Sequence, residues 1–465
     1  MMQKHQGDSR TARAAGLLIA ALAMLVSCGS SGSDAAQEMA ASVSQHGITW
    51  YFDQEYPVGR YANGDWWVLG PVTITKITPE SGDFNGRVMH GSQLNPPNSG
   101  RQGYDSNTSN RMAYVSDLNV APSVSGPLAV ATGSIVSAIS DPAPDSPTMP
   151  IAMLAILTVV DHVPSTGAFR PPPYIDDKTS YWNESQLNYG VLQSLPRVES
   201  TPDTDSLAEN ALKFWNEQGT NWQRAYVMAN YRPGYGRELA NLTSTMALAL
   251  HLDFSNEEKR DLFVGLVQYG IDNYGKILAG GNWHADGGWH HGRKVPTLLA
   301  GLALNDSSIL HHVNRETGGA NLFQEDGQTF IVAESDVGRP TEEEFPSHAT
   351  WEEERVYLPE DVGNAEWAIR YWQRDREWGD RRWGSAYRYV GSQFVGIALA
   401  ARLMDGGYDA WNWPPFFEYV ERYLDVGPIQ GIPAFHQELW GKYRDIDAQT
   451  YSFAAPPAAP ILQSE

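Results

Sequence analysis

The stretch Ser255-Asn256-Glu257-Glu258-Lys259-Arg260-Asp261-Leu262-Phe263-Val264-Gly265-Leu266-Val267-Gln268-Tyr269 sets the architecture. Ser255 followed three residues later by Glu258 is a capping box, in which each side chain satisfies the other residue's backbone N–H. Behind it, Leu262, Leu266 and Tyr269 recur at i, i+4 and i+7, the spacing of one helix face. A helix opens here, and similar patterns surround it. Thr204 or Asp205 caps a helix expected to run through Trp215, and further helices are expected over 236–252, 293–304, 363–374, 385–404 and 413–424. The region 203–453 therefore reads as α-helical, with short connections.

Upstream the period changes. Ile48-Thr49-Trp50-Tyr51-Phe52, Trp66-Trp67-Val68-Leu69, Val72-Thr73-Ile74-Thr75, Leu128-Ala129-Val130, Ser134-Ile135-Val136 and Ile156-Leu157-Thr158-Val159-Val160 are β-branched and aromatic. Gly, Pro, Asn and Asp separate them at short intervals, as between strands. Asn63-Gly64-Asp65 marks a turn. Residues 46–165 are expected to form a small sandwich or barrel. Residues 166–202, with Pro171-Pro172-Pro173, read as a connection wrapped over the surface. The Pro-rich tail 454–465 reads as frayed.

The N-terminus carries Lys4, Arg10 and Arg13, then an apolar run from Gly16 to Val26, then Leu25-Val26-Ser27-Cys28. A basic start, a short apolar core and small residues at the cut describe a secretory signal. The run has about half of the ~20 residues that span a bilayer. Leu25–Cys28 resembles the lipobox of bacterial lipoproteins. That resemblance implies cleavage after residue 27, acylation of the Cys28 thiol and a flexible tether over 29–45. No aspartate follows Cys28, so the family analogy implies the outer membrane.

Cys28 is the only cysteine, which excludes intramolecular disulfides and thiolate metal sites. The formal charge is −22, and losing residues 1–28, with Lys4, Arg10, Arg13 and Asp8, makes it −24. Such a chain repels nucleic acid, whose binding rests on Lys and Arg displacing counterions. The 16 Trp and 22 Tyr exceed the needs of a core this size, and aromatic faces stack on the apolar C–H edges of sugars.

A β region followed by a helical region in an exported, Trp-rich chain resembles the carbohydrate-active enzymes built on an (α/α) toroid. Polysaccharide lyases and several glycoside hydrolases share that toroid, often with an attached β-sandwich. The resemblance is one of architecture, and it implies a two-part α+β fold acting on a polysaccharide or oligosaccharide without a cofactor.

The segment richest in chemistry is Gly280-Gly281-Asn282-Trp283-His284-Ala285-Asp286-Gly287-Gly288-Trp289-His290-His291-Gly292-Arg293-Lys294, between two expected helices. A lyase must neutralise a uronate carboxylate, remove the C5 proton and protonate the leaving oxygen. Asn282 and Arg293 suit the first task, and His290 or His291 suits the second. Trp283 and Trp289 are candidate sugar platforms. Arg293-Lys294 also suits a sulfate or carboxylate at the next helix's N-terminus. In Tyr231-Arg232-Pro233-Gly234-Tyr235-Gly236-Arg237-Glu238, Tyr235 is a candidate proton donor and Arg237 a substrate clamp. Trp66 and Trp67 face opposite sides of a strand, so one of them is available to a ligand.

A hydrolase needs two carboxyl groups across the scissile bond. Asp286, Asp361 and Glu366 are the candidates for that alternative. A non-catalytic glycan-binding lipoprotein is the third reading. Gly270 to Lys276 has phosphate-loop spacing, but Ile277 stands where Ser or Thr is needed. HExxH and GxSxG are absent. His290-His291 and His311-His312 are adjacent pairs, which diverge by about 100° on a helix and do not form a metal pair.

Overall fold

The structure, a computed structural model, describes residues 37–107, 112–143, 149–219, 227–285, 288–338, 359–367, 391–425 and 431–446. Strand β2 (Ile48–Arg60) organises the sheet. In its first half Ile48, Trp50 and Phe52 turn inward while Tyr51 and Asp53 face out, the period of two that a strand imposes. Strands β1 (Met39–Gln45) and β4 (Val72–Thr78) pair antiparallel with that half, and β3 (Trp66–Leu69) pairs with the far end.

Residues 39–45, expected in the tether, form β1 instead. The link to β2 is a two-residue hairpin, His46-Gly47, with φ of 51° and 82°. Both positive angles suit the tight turn that matches strand twist. A left-handed histidine is uncommon, so the sequence carries no Asn-Gly signal there. Asn63-Gly64, between β2 and β3, behaves as expected, with Gly64 at φ 87°.

Two small strand pairs lie off the sheet: β5 (Gly82–Phe84) antiparallel to β6 (Arg87–Met89), and β8 (Arg101–Gln102) parallel to β9 (Ala113–Tyr114). The remaining strands are β7 (Ser92–Leu94), β10 (Leu128–Val130), β11 (Gly133–Ser140) and β12 (Ile151–Val160). The sheet order is β10-β4-β2-β3-β12-β11-β7, with β1 also on β2 and β12 parallel to β3. These eight strands make one curled half-barrel sheet, in place of the expected closed barrel or two-sheet sandwich. At β11 and β12 both faces are covered. Ile135 and Leu157 enter a core with Trp50 and Ile74, while Val136 and Ile156 meet Phe214 and Val227. This two-sided burial explains the unbroken apolar run of β12.

Part of the connecting segment runs inside, while most of 175–202 is half-buried or exposed. Residues 168–174 are buried. Arg170 donates to Asp65, beside the β2–β3 turn, at 2.7 Å and to Asp272 at 2.5 Å, all three sealed from water. Sheet and helices are thereby joined through one guanidinium, within a single compact unit from Glu38 to Glu465.

Helix α1 (Thr204–Leu212) is capped by Asp203 and stops before Trp215, because Lys213 turns extended at ψ 152°. Helices α2 (Gly236–Leu250), α3 (Asn256–Leu278) and α4 (Lys294–Ala303) follow the sequence pattern, and Ser255 and Glu258 form the expected box. From Leu262 to Ile277 every residue of α3 is buried, polar ones included. Its neighbours come very close: a Cβ at Gly270 would lie 2.1 Å from the Pro296 carbonyl oxygen, and one at Gly275 2.0 Å from the Pro172 ring. Then come α5 (Ser307–Val313), α6 (Arg315–Gly318) and α7 (Gln324–Gly327).

The helix expected over 363–374 begins instead as strand β14 (Ala365–Trp367), antiparallel to β13 (Thr329–Ile331); residues 368–374 lie outside the described residues. The last helices are α8 (Phe394–Leu403), α9 (Gly407–Trp411), α10 (Pro414–Asp425) and α11 (Ala434–Tyr443). Helix α8 is hydrophobic around its circumference and packs on α2, α4, α10 and α11. Among the described residues no helix is long and apolar enough to cross a membrane. The signal segment, Cys28 and residues 454–465 lie outside them.

Candidate functional site

The loop between α3 and α4 and the turn before α2 meet face to face. Tyr235, the N-cap residue of α2, packs its ring against Trp289 with centroids 4.4 Å apart and planes at 73°. This is an edge-to-face pair of the favoured kind. Two glycines permit the approach. A Cβ on Gly236 would stand 2.2 Å from the Trp289 carbonyl oxygen, and one on Gly288 2.3 Å from the Tyr235 hydroxyl. Tyr235 and Trp289 are half-buried, and Asn282 is exposed.

Two histidines of this loop donate through Nδ1. The Asn282 side-chain oxygen accepts from His284 Nδ1 at 3.0 Å, and the His284 carbonyl accepts from His290 Nδ1 at 2.6 Å. A carbonyl oxygen only accepts, so each Nδ1 carries a proton. The two rings lie edge to face, 5.0 Å apart. His284 is half-buried and His290 buried. The sequence alone assigns His284 no role.

The rest of the loop is held from beneath. Glu217, fully buried, accepts from Arg232 and Tyr269 and from Arg293 Nε at 3.2 Å through one oxygen, and from Trp283 Nε1 at 3.3 Å through the other. Arg293 also donates to the carbonyls of Trp289 and His291, at 3.1 and 2.9 Å. It is thus a strut, and neither the uronate clamp nor the helix-terminal anion site that the sequence suggests. Trp283 is sealed inside, stacked on Phe323 at 5.5 Å, and offers no face to a sugar. Lys294 donates to Asp326 at 2.5 Å and lies 4.2 Å over the Trp411 ring. Burial pushes the Lys294 ammonium down to about 8, and Asp326 opposes that fall.

His291 is buried against Phe394 and bonded to Gln324 and Gln328. Desolvation drives its pKa down to about 3, so it stays neutral, and its burial removes it as a base toward a surface ligand. Beside it, Glu325 accepts from the Gly292 N–H at 2.9 Å, and burial raises its carboxyl to about 7.

Other sequence candidates lie elsewhere. Trp66 is buried, with its indole N–H on the Ser44 carbonyl and Arg60 over its ring. Trp67 packs with Tyr61, Val160 and Ala168. Both are core residues of the sheet. Arg237 pairs with its neighbour Glu238 at the surface and leans on Tyr235. Asp361 is buried, and Glu366 is buried against Arg422 at 3.1 Å, so they do not present an acid pair to solvent. Asp286 lies outside the described residues.

Glu217, Arg232, Tyr269, Glu325 and Asp326 are not recognisable from the sequence. Glu217 sits in the plain polar run Asn216-Glu217-Gln218, and no spacing in the chain announces partners 15, 52 and 76 residues away. Among the described residues no group of His, Cys, Asp and Glu is arranged to hold a metal ion. No protein-family model, curated protein or solved structure matches the chain. The chemistry of the site thus rests on its own geometry: a half-buried and a buried imidazole, an exposed amide and an indole on a braced loop, with the Tyr235 phenol packed on that indole.

Proposed function

We propose that this protein is an extracytoplasmic polysaccharide lyase that cleaves an anionic, uronic-acid polymer by β-elimination at the surface formed by Asn282, His284, Trp289 and Tyr235. The observation that supports the reading is the His284 ring held by Asn282 at the half-buried edge of the loop, whose Trp289 packs on Tyr235. In this scheme Asn282 holds the uronate carboxylate and so acidifies the C5 proton. His284, on the more open ring, takes that proton, and the buried His290 positions it by donating to its carbonyl. The C4–oxygen bond breaks, a C4–C5 double bond forms, and Tyr235 gives its phenolic proton to the departing oxygen. Trp289 supplies the platform for the neighbouring sugar ring.

The hydrolase alternative has less support, because Asp361 and Glu366 are buried. The paired packing of α3 with α4 and of α2 with α8 supports a toroid-like helical scaffold for the site. The Leu25–Cys28 motif supports lipid anchorage at the outer membrane.

Incubation with a panel of uronic-acid polysaccharides tests the chemistry. The expected product combines new reducing ends with the ultraviolet absorbance of an unsaturated uronide. Reducing ends without that absorbance would overturn the elimination, and no product from any polymer would overturn the enzyme. The anchor is tested by Cys28→Ser in the full chain, which is expected to move the protein from the membrane fraction to the soluble one.

A further inference from the structure

The sheet carries a second feature that the proposed chemistry does not use. A pocket of about 140 Å³ opens between the end of β4, the start of β7 and the loop 120–123. An apolar cavity of about 150 Å³ is known to take one benzene molecule, so this volume suits a single six-membered ring. Ile77, Val120 and Pro122 give it apolar walls, while Ser81, Ser92 and His90 supply polar groups. Such a mixture matches a ring with apolar C–H faces and hydroxyl edges.

The polar groups are fixed in place. His90 sits at φ 59°, a left-handed conformation uncommon outside glycine. Reciprocal bonds hold it there: its N–H donates to Ser140 Oγ at 2.9 Å, and its Nδ1 accepts from the Ser140 N–H at 3.1 Å. With Nδ1 accepting, the neutral ring carries its proton at Nε2 as a donor. Burial lowers the pKa of this imidazole, which favours that neutral form.

Ser81 Oγ accepts from Asn119 Nδ2 at 2.7 Å, leaving its own proton to donate. Ser92 Oγ gives its proton to Ser137 Oγ at 2.8 Å, and that oxygen also takes the Trp50 indole N–H. Ser92 is therefore oriented as an acceptor. Glu80 completes the lining, in an ion pair with Lys76. A carboxylate there accepts from hydroxyls and repels an anion.

We infer that this pocket is a binding site for one neutral, hydroxyl-rich six-membered ring, held by donors at His90 and Ser81, an acceptor at Ser92 and the apolar walls at Ile77 and Pro122. It selects against uronates, unlike the elimination surface, and it does not depend on that reading.

Saturation-transfer NMR on the full chain tests it, with methyl glucoside, methyl galactoside and methyl mannoside as neutral probes and glucuronate as the anionic one. Transfer to at least one neutral glycoside is expected, well above that to glucuronate. His90→Asn keeps a residue tolerant of the left-handed backbone and removes the imidazole. Ala121→Trp lays an indole over the mouth from an exposed loop position. Each is expected to cut the transfer at least fivefold while melting with the wild type. The absence of transfer to every neutral probe, equal transfer to glucuronate, or transfer that survives either substitution in a folded variant would overturn the site.

Discussion

Arg293 reaches the carboxylate of Glu217 at 3.2 Å across 76 residues of chain, and neither side chain is more than 1% exposed. The same guanidinium holds two carbonyls of the loop that carries His290. Replacing Glu217 with Gln strands Arg232 and Arg293 in the interior without a counter-charge. Breaking a buried pair in this way costs about 3–5 kcal/mol. Urea unfolding of Glu217→Gln is expected to show a loss of that size, and an unchanged midpoint would show that the network does not support the fold.

The contact between the two loops makes its own prediction. Gly236→Ala places a methyl group 2.2 Å from the Trp289 carbonyl oxygen, where backbone must yield. Overpacking of this kind costs about 1–3 kcal/mol. Thermal melts should register it, and the proposed eliminase activity should fall further than stability because Tyr235 and Trp289 are driven apart.

Tyr235→Phe keeps the ring against Trp289 and removes the proton. On the proposed chemistry this loses the general acid and lowers kcat by about 10²–10⁴-fold, with little change in KM or melting temperature. Arg237→Ala should differ, since it releases a surface ion pair worth under about 1 kcal/mol and leaves kcat close to wild type. Kinetics of the two variants on the same polymer separate these outcomes, and equal losses in both would remove Tyr235 from the chemistry.

Acid should loosen the fold through buried histidines. Desolvation takes His251, His291 and His436 from 6.5 down to about 3. Between those values the unfolded chain holds more protons than the folded one, so stability is full above 6.5 and is lost as pH falls. Each group contributes at most about 1.4 kcal/mol per pH unit. Glu325 acts in the opposite sense, because its raised pKa leaves the folded state holding the extra proton between 4.5 and about 7. Comparing the wild type with His436→Gln cancels that contribution. The variant should show a shallower fall in unfolding free energy on acidification, by about 1.4 kcal/mol per unit; parallel curves would rule out a buried neutral His436.

The helical core is open to sequence reading because its signals are local. Ser255 and Glu258 lie three residues apart, and Leu262, Leu266 and Tyr269 repeat on one face. The same holds for Asn63-Gly64. Strand β1 escapes because its hairpin uses His46 where Asn is usual and its side chains are mostly Ala and Ser. The expected helix at 363–374 shows the opposite error, since pairing with Thr329–Ile331 overrides local propensity at Ala365–Trp367.

At the candidate site, proximity in sequence singles out a loop but not what its individual side chains touch. Arg293 and Lys294 are cations whose partners, Glu217 and Asp326, lie 76 and 32 residues away. Nothing in a fifteen-residue window distinguishes such a strut from a ligand clamp. His284 escapes for a related reason: its contacts follow from the fold of the loop, which sets Asn282 and His290 against it.

Arg170 holds one carboxylate from the sheet and one from α3. Cut the chain between those two halves and each fragment inherits a group that water must cover at a face built to be dry. Neither half is therefore an exchangeable module. A gene fusion that borrowed only the sheet, or only the helices, would carry a bare buried charge into its new host, so the two halves are expected to travel through evolution together.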